Sequence, residues 1–129
     1  RLVPLGSGGR QIFDTLDLKQ FPGQLSLQVE FYNENYDGDF RRAAEDRAKA
    51  LRTSGEQAYY YHGPHISMVT LGLFGPDDFV KEGDTDAYGP RIKALQEEYP
   101  YNLANGWTLV EKVRGKVVGE QPSFLVRVW

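Results

Sequence analysis

The stretch "QLSLQVEFY", from Gln24 to Tyr32, constrains the fold more than any other, because apolar and polar side chains alternate along it. Successive side chains of an extended strand point to opposite faces, so this alternation predicts a strand with one buried face. The predicted inward side chains are Leu25, Leu27, Val29 and Phe31, and the outward ones are Ser26, Gln28, Glu30 and Tyr32. Such a strand needs further elements that cover its apolar face.

The segment after this strand predicts a helix. Apolar residues recur at helical spacing from Phe40 to Leu51. Asp37 or Asp39 precedes them, where a carboxylate can accept hydrogen bonds from the free N–H groups of the first turn. Gly55 stands where a left-handed C-terminal cap belongs. We expect this helix to pack on the apolar face of the strand.

Two β-prone runs in "EQAYYYHGPHISMVTLGLF" predict a β-hairpin that turns at Gly63–Pro64. In a two-residue turn of this kind the glycine takes the first central position, with a positive φ. That register places His62 opposite His65 and Tyr59 opposite Met68.

The other segments predict further elements. Residues 75–89 form an acidic insertion, and "PRIKALQEEYP" predicts a second helix between Pro90 and Pro100. A β-hairpin that turns at Arg114–Gly115 and a closing strand in "SFLVRVW" follow. We expect residues 1–23 to be a Gly- and Ser-rich tail with a short apolar strap, and residues 24–129 to be a single domain.

The predicted order is strand, helix, strand, strand, helix, strand. This order indicates the α+β class and a ferredoxin-like βαββαβ fold, in which both helices cover one face of an antiparallel sheet. The C-terminal β-hairpin is an addition to that arrangement. A length of 129 residues suits one domain with its own core.

Composition excludes several functional classes. The net charge is −3, whereas nucleic-acid-binding domains usually carry a basic patch, so no nucleic-acid partner is expected. The chain has no cysteine, which removes disulfides and Cys-based zinc sites. No apolar run approaches about 18 residues and no signal-peptide pattern occurs, so no membrane span is expected and any targeting segment is expected before Arg1.

Three segments resemble the SPOR domain, a peptidoglycan-binding module of the bacterial envelope. The first strand of that family is roughly V-Q-V-G-x-F, and Leu27 to Tyr32 stands in its place, with Glu30 at the glycine position. The helix "AAEDRAKALRTSG" ends at a glycine as the family helix does, and Val69 to Phe74 is similar to its third strand, V-x-V-G-x-F. The resemblance covers about residues 24–74 well and the second helix loosely.

The resemblance implies a non-catalytic module of the bacterial cell envelope or periplasm that holds a glycan strand on its open sheet face, through Gln28 in particular. Aromatic rings accommodate the C–H faces of sugars, and polar neighbours bind their hydroxyls. The alternation places six candidate ligand-binding residues on that face: Gln28, Glu30, Tyr59, Tyr61, Met68 and Thr70. The alternative is that the tyrosines serve only as cross-strand partners or lie buried under residues 11–21.

No catalytic, metal or cofactor signature is present. Two histidines make an incomplete zinc site, so His62 and His65 are expected to mark the hairpin turn. A catalytic pair of His62 and Ser67 lacks an identified orienting acid. The acidic run of residues 77–86 lacks the spacing of a calcium-binding loop and is expected to be solvated. We therefore expect no enzymatic activity and no cofactor.

Two functional hypotheses follow. The first is a glycan-binding module of the bacterial envelope. The second is an interaction or assembly domain whose partner is another protein, bound to the same face or to an exposed strand edge. They are distinguished by whether Tyr59 and Tyr61 are exposed, and by whether these tyrosines line a concave groove, which favours sugar, or a flat apolar patch, which favours protein. The sequence does not determine the oligomeric state.

Overall fold

The computed structural model describes residues 15–105, 107–108, 110–113 and 116–128, and it has the predicted α+β class. The predicted tail, residues 1–10, lies outside the described residues. The helices and strands are β1 (Leu25–Asn33), α1 (Phe40–Thr53), β2 (Ala58–His62), β3 (Ile66–Phe74), β4 (Phe79–Glu82), β5 (Thr85–Tyr88), α2 (Pro90–Glu98), β6 (Leu103–Ala104), β7 (Trp107–Thr108), β8 (Val110–Val113), β9 (Lys116–Glu120) and β10 (Phe124–Arg127). Short 3-10 turns occupy Leu18–Gln20 and Pro76–Asp78.

Strand β1 lies at the centre of the larger sheet. Strand β3 pairs antiparallel along one side of it, and β2 pairs antiparallel with β3. The other side of β1 is shared by two strands. Its first half pairs antiparallel with β10, from Leu25 opposite Arg127 to Gln28 opposite Phe124, and its second half pairs parallel with β6. Strand β7 extends the sheet beyond β6.

The ends of helix α1 are set by the residues that the sequence indicates. The Asp39 Oδ1 atom accepts hydrogen bonds from the backbone N–H groups of Arg41 and Arg42, at 3.1 and 3.2 Å. Gly55 follows the helix with a φ of 100°, as a left-handed C-terminal cap requires. Between these caps the helix buries Ala44, Ala48 and Leu51.

Both helices contribute to one apolar core with the sheet. Helix α2 begins at Pro90. Proline is well suited to this position, because a backbone N–H in the first turn would have no acceptor within the helix. The helix buries Ile92 completely. The sheet side of this core is made of Leu27, Val29, Tyr32, Ala58, Tyr60, Val69, Leu71 and Phe74.

The β2–β3 hairpin forms, but its predicted register is wrong by two residues. Pro64 and His65 occupy the centre of the turn, and the Gly63 N–H donates to the Ile66 carbonyl at 2.7 Å. Proline suits the first central position because its ring fixes φ, and Gly63 has no positive φ. His62 therefore pairs with Ser67 instead of His65, and a shift by an even number leaves every side chain on its expected face.

The acidic insertion contains a short hairpin of its own. Strands β4 and β5 pair from Phe79 opposite Tyr88 to Glu82 opposite Thr85. Gly83 lies in the turn with a φ of 65°, a conformation that glycine adopts without steric cost.

The C-terminal third contains the predicted hairpin and closing strand. Strands β8 and β9 pair with Val113 opposite Lys116, and the predicted turn at Arg114–Gly115 lies outside the described residues. Strand β10 closes the chain as predicted. The short strand β6 was not predicted, and β7 lies at the start of the stretch that was predicted to form the hairpin.

Candidate functional site

Five of the six predicted site residues share the sheet face that the helices leave free. Gln28 pairs with Thr70, which pairs in turn with Tyr59. Met68 pairs with Tyr61 on the same side. Directly opposite residues in an antiparallel ladder point to one face, so these side chains are brought together.

Glu30 is the exception, because a β-bulge interrupts strand β1. The register shifts between Gln28 and Glu30, which leaves Val29 as the extra residue and places Glu30 opposite Val69. One inserted residue reverses the side to which the following side chains point. The predicted position of Glu30 beside Gln28 is therefore wrong, and its carboxylate lies between the sheet and α1.

The same bulge turns Phe31 outward, although the alternation predicts it to face the core. Phe31 pairs with Met68, and Met68 pairs with Tyr61 on its other side. These three half-buried side chains form one line across β2, β3 and β1, which we name the Tyr61 row.

Residues 15–24, here named the strap, cross the helix-free face. Asp17 forms a parallel bridge with Tyr60 at the β2 edge of the sheet. At its other end the Gly23 N–H donates to the Val128 carbonyl at 2.8 Å. Between these ends Leu18 is buried in a second apolar cluster.

Three of the predicted residues on this face are buried, and the strap covers one of them. The Phe21 ring lies edge-on to the Tyr59 ring at 5.3 Å, and Tyr59 is 3% exposed. Gln28 is 4% exposed and Thr70 is fully buried, with no hydrogen-bond partner for its hydroxyl among the described residues. The expectation of an open face is wrong for these three residues. The strap covers Tyr59, as the alternative held, and the Gln28 amide donates to the buried Asn102 side chain at 3.3 Å.

Polar groups flank the Tyr61 row at both ends. The Lys19 Nζ atom lies 5.4 Å from the centre of the Tyr61 ring. At the other end Asn33, two residues beyond Phe31, exchanges hydrogen bonds with Asn105, the residue after β6, at 2.9 and 3.1 Å. An aromatic surface with amide and ammonium neighbours can hold a sugar ring and its hydroxyls.

On the opposite face, Glu30 forms a compact charged cluster. Arg47 of α1 donates its Nε–H to one Glu30 oxygen at 3.0 Å, and the Tyr32 hydroxyl donates to the other. The carboxylate is 3% exposed. Burial, followed by the hydrogen bond to Glu30, raises the pKa of Tyr32 above its usual value. The phenol therefore stays protonated and serves as a donor.

A cavity of about 180 Å³ adjoins this cluster. We name it the Glu30 cleft; its lining is Val29, Glu30, Arg47, Leu51, Glu98, Tyr99, Pro100, Tyr101 and Leu103. The Tyr99 hydroxyl donates to the Glu56 carboxylate at 2.8 Å. Burial, and then this bond and the Glu56 charge, raise the pKa of Tyr99 to about 12.

His62 lies between a serine and a carboxylate. Its Nδ1 atom is 2.7 Å from the Ser67 hydroxyl, and its Nε2 atom is 2.8 Å from a Glu45 oxygen. Glu45 is the acid that sequence reasoning did not find, because it lies one helix away. Ser67 is fully buried, so a substrate cannot reach its hydroxyl, and the cluster ties the hairpin to α1. His65 is exposed in the turn.

Within the described ranges, no group of three His, Asp or Glu side chains is arranged to hold a metal ion. No helix in that part of the chain is both long and apolar enough to cross a bilayer. Searches of protein-family models, curated proteins and solved structures found no match to this chain.

Proposed function

We propose that this chain is a non-catalytic binding module of the bacterial cell envelope that holds a peptidoglycan glycan strand on the Tyr61 row. The observation that carries the proposal is the alignment of Tyr61, Met68 and Phe31 in one register, half-exposed, on the face without helices. An aromatic and thioether surface of this kind suits the C–H faces of successive sugar rings.

The strand order supports a ferredoxin-like, SPOR-like domain as the scaffold of this site. The order β2, β3, β1, β10 is antiparallel throughout, with α1 between β1 and β2 and α2 between β3 and β10 in the chain. That sequence of elements supports the βαββαβ arrangement. In this proposal β4 and β5 are an addition between β3 and α2, and β6 to β9 are additions between α2 and β10.

The proposed contact differs from the six residues that the sequence indicates. Tyr61 and Met68 remain in it, and Phe31 and Asn33 join them. Lys19 stands at its rim, where an ammonium group can donate hydrogen bonds to sugar oxygens. Gln28, Tyr59 and Thr70 are buried and are not part of this contact.

The test is co-sedimentation with insoluble peptidoglycan, before and after enzymatic removal of its stem peptides. The wild-type chain is expected to sediment more completely once the peptides are removed. The double variant Phe31→Ala, Tyr61→Ala should lose this retention while its circular dichroism stays native. Tyr101→Ala is the matched control, because that exposed aromatic residue lies away from the Tyr61 row.

A folded wild-type chain that does not sediment with either preparation would overturn the glycan proposal. A protein partner on the same apolar row would then be the better account, since a row of aromatic and Met side chains also suits a protein interface.

A further inference from the structure

The Glu30 cleft has no part in the proposed glycan contact. Glu30 points to the helix side of β1, whereas the Tyr61 row lies on the other side. The cavity walls are mainly apolar or aromatic, with Leu51 from α1, Tyr99 after α2 and Leu103 from β6. Concave apolar sites that carry a few fixed polar groups are the usual form of small-ligand sites.

The fixed polar group in this cleft is the Arg47 guanidinium. Its Nε–H is bonded to Glu30, and its terminal nitrogens have no hydrogen-bond partner among the described residues. The Arg47 side chain is 41% exposed and lines both the cleft and a larger adjoining cavity of about 350 Å³. The Glu30 oxygens, in contrast, each accept a hydrogen bond from within the fold, and the side chain is only 3% exposed.

The Glu30–Arg47 pair orients donors toward the cleft. Glu30 is buried and Arg47 is partly exposed, and an ion pair with a desolvated member contributes little more to stability than well-packed apolar residues would. Stability alone is therefore a weak reason for its presence. A guanidinium held through its Nε atom presents its remaining N–H groups in a fixed plane, which matches two carboxylate oxygens. Glu98, the other charged residue of the lining, is exposed.

The volume of the Glu30 cleft limits the size of the ligand that it can hold. A volume of about 180 Å³ is close to that of cavities of roughly 150 Å³ that bind benzene. We propose that the Glu30 cleft binds small carboxylic acids with a single ring or a branched alkyl group, whose carboxylate meets Arg47 and whose body lies against Leu51, Tyr99 and Leu103.

The test uses two probes of the same shape and opposite charge, phenylacetate and benzylamine, added to isotopically labelled protein in separate NMR titrations. Phenylacetate is expected to shift the Arg47 Nε–H and Leu103 amide signals in a saturable manner, and benzylamine is not. The Glu98→Gln variant should bind phenylacetate about two- to fivefold more tightly, because an exposed like charge near the site is removed. Stronger binding of benzylamine, or no saturable shift with phenylacetate, would overturn the proposal.

Two further variants locate the ligand. Arg47→Lys keeps the charge but loses the planar fork, and it should weaken phenylacetate binding about tenfold. Arg47 variants disturb a buried carboxylate, so Leu103→Phe, which narrows the cavity and keeps the ion pair, is the second test. Unchanged phenylacetate affinity in folded Leu103→Phe protein would show that the probe binds elsewhere. Phe31→Ala with Tyr61→Ala should leave phenylacetate binding intact, which separates this site from the glycan contact.

Discussion

The Glu30 carboxylate is held by two donors at once, the Arg47 Nε–H at 3.0 Å and the Tyr32 hydroxyl. A charge that is almost completely removed from water is tolerated only when its lone pairs are satisfied. Removing one partner therefore affects stability more than removing the whole pair.

We expect Arg47→Ala to lower the free energy of unfolding by about 3 kcal/mol, because it leaves an uncompensated buried carboxylate. The double variant Glu30→Gln, Arg47→Ala should recover a large part of this loss, since the remaining amide carries no charge. Urea unfolding of the four members of this cycle measures both effects. Equal losses in the single and double variants would contradict the proposed role of the buried charge.

Tyr99 makes the free energy of unfolding depend on pH in the alkaline range. Its pKa is raised to about 12 in the folded chain, against an ordinary value near 10 when unfolded. Its contribution to stability is therefore fully present below pH about 10 and is lost as the pH rises toward about 12. Tyr32 acts in the same direction.

We expect the free energy of unfolding of the wild-type chain to fall across this alkaline range, and Tyr99→Phe to show a shallower fall, because it has no phenol to ionise. Urea unfolding at several pH values measures both curves. Parallel curves for the two proteins would show that Tyr99 contributes nothing to the alkaline decline.

Two glycines of strand β3 and its C-terminal end differ in the space that is available for a side chain. The register of β1 and β3 shifts near Gly72, which has a φ of 74°, and a Cβ atom there would lie 2.8 Å from the Phe74 ring. Gly75, just beyond β3, has an extended backbone with no atom within 4 Å of such a Cβ.

We expect Gly72→Ala to destabilise the chain by about 2 kcal/mol, through left-handed strain and displacement of the Phe74 ring. Gly75→Ala is the matched control and should change stability by less than about 0.5 kcal/mol. Thermal or urea unfolding compares them. Similar stabilities for the two variants would mean that the irregular position at Gly72 tolerates a side chain.

Leu18 is the fully buried side chain of the strap. We expect Leu18→Ala to lower stability by about 2 to 3 kcal/mol and to loosen the strap. The Tyr60 amide hydrogen, which is donated to the Leu16 carbonyl at 2.9 Å, should then exchange faster with solvent. Lys19→Ala, at an exposed neighbouring position, should leave that exchange rate unchanged. Unaltered exchange in Leu18→Ala would show that the strap is held by other contacts.

Elements with local signals could be predicted from sequence, and features that depend on distant contacts could not. Helix α1 follows from its apolar spacing and from the caps at Asp39 and Gly55. The register of the β2–β3 hairpin also depends on where proline fits the turn and on Arg41, which donates to the Gly63 and Pro64 carbonyls at 3.1 and 3.0 Å. Those two bonds come from another element, so the local sequence gives no sign of them.

Across the whole molecule, one inserted residue in β1 produces two separate surfaces. The bulge at Val29 withdraws Glu30 to the helix side, where it orients Arg47, and turns Phe31 to the other side, where it completes the Tyr61 row. The α+β order was predictable because strand and helix periods alternate clearly along the chain. The candidate site was predictable only in part, since neither the bulge nor the cover over Tyr59 changes the periodicity of the sequence.

The most direct test of the proposed function is an NMR titration of the labelled chain with soluble glycan strands that carry no stem peptides. The proposed function predicts shifts of the Phe31, Asn33, Tyr61 and Met68 amides, with the signals of Arg47 and Leu103 unchanged. Shifts confined to the Glu30 cleft, or no shifts at all in the folded chain, would contradict it.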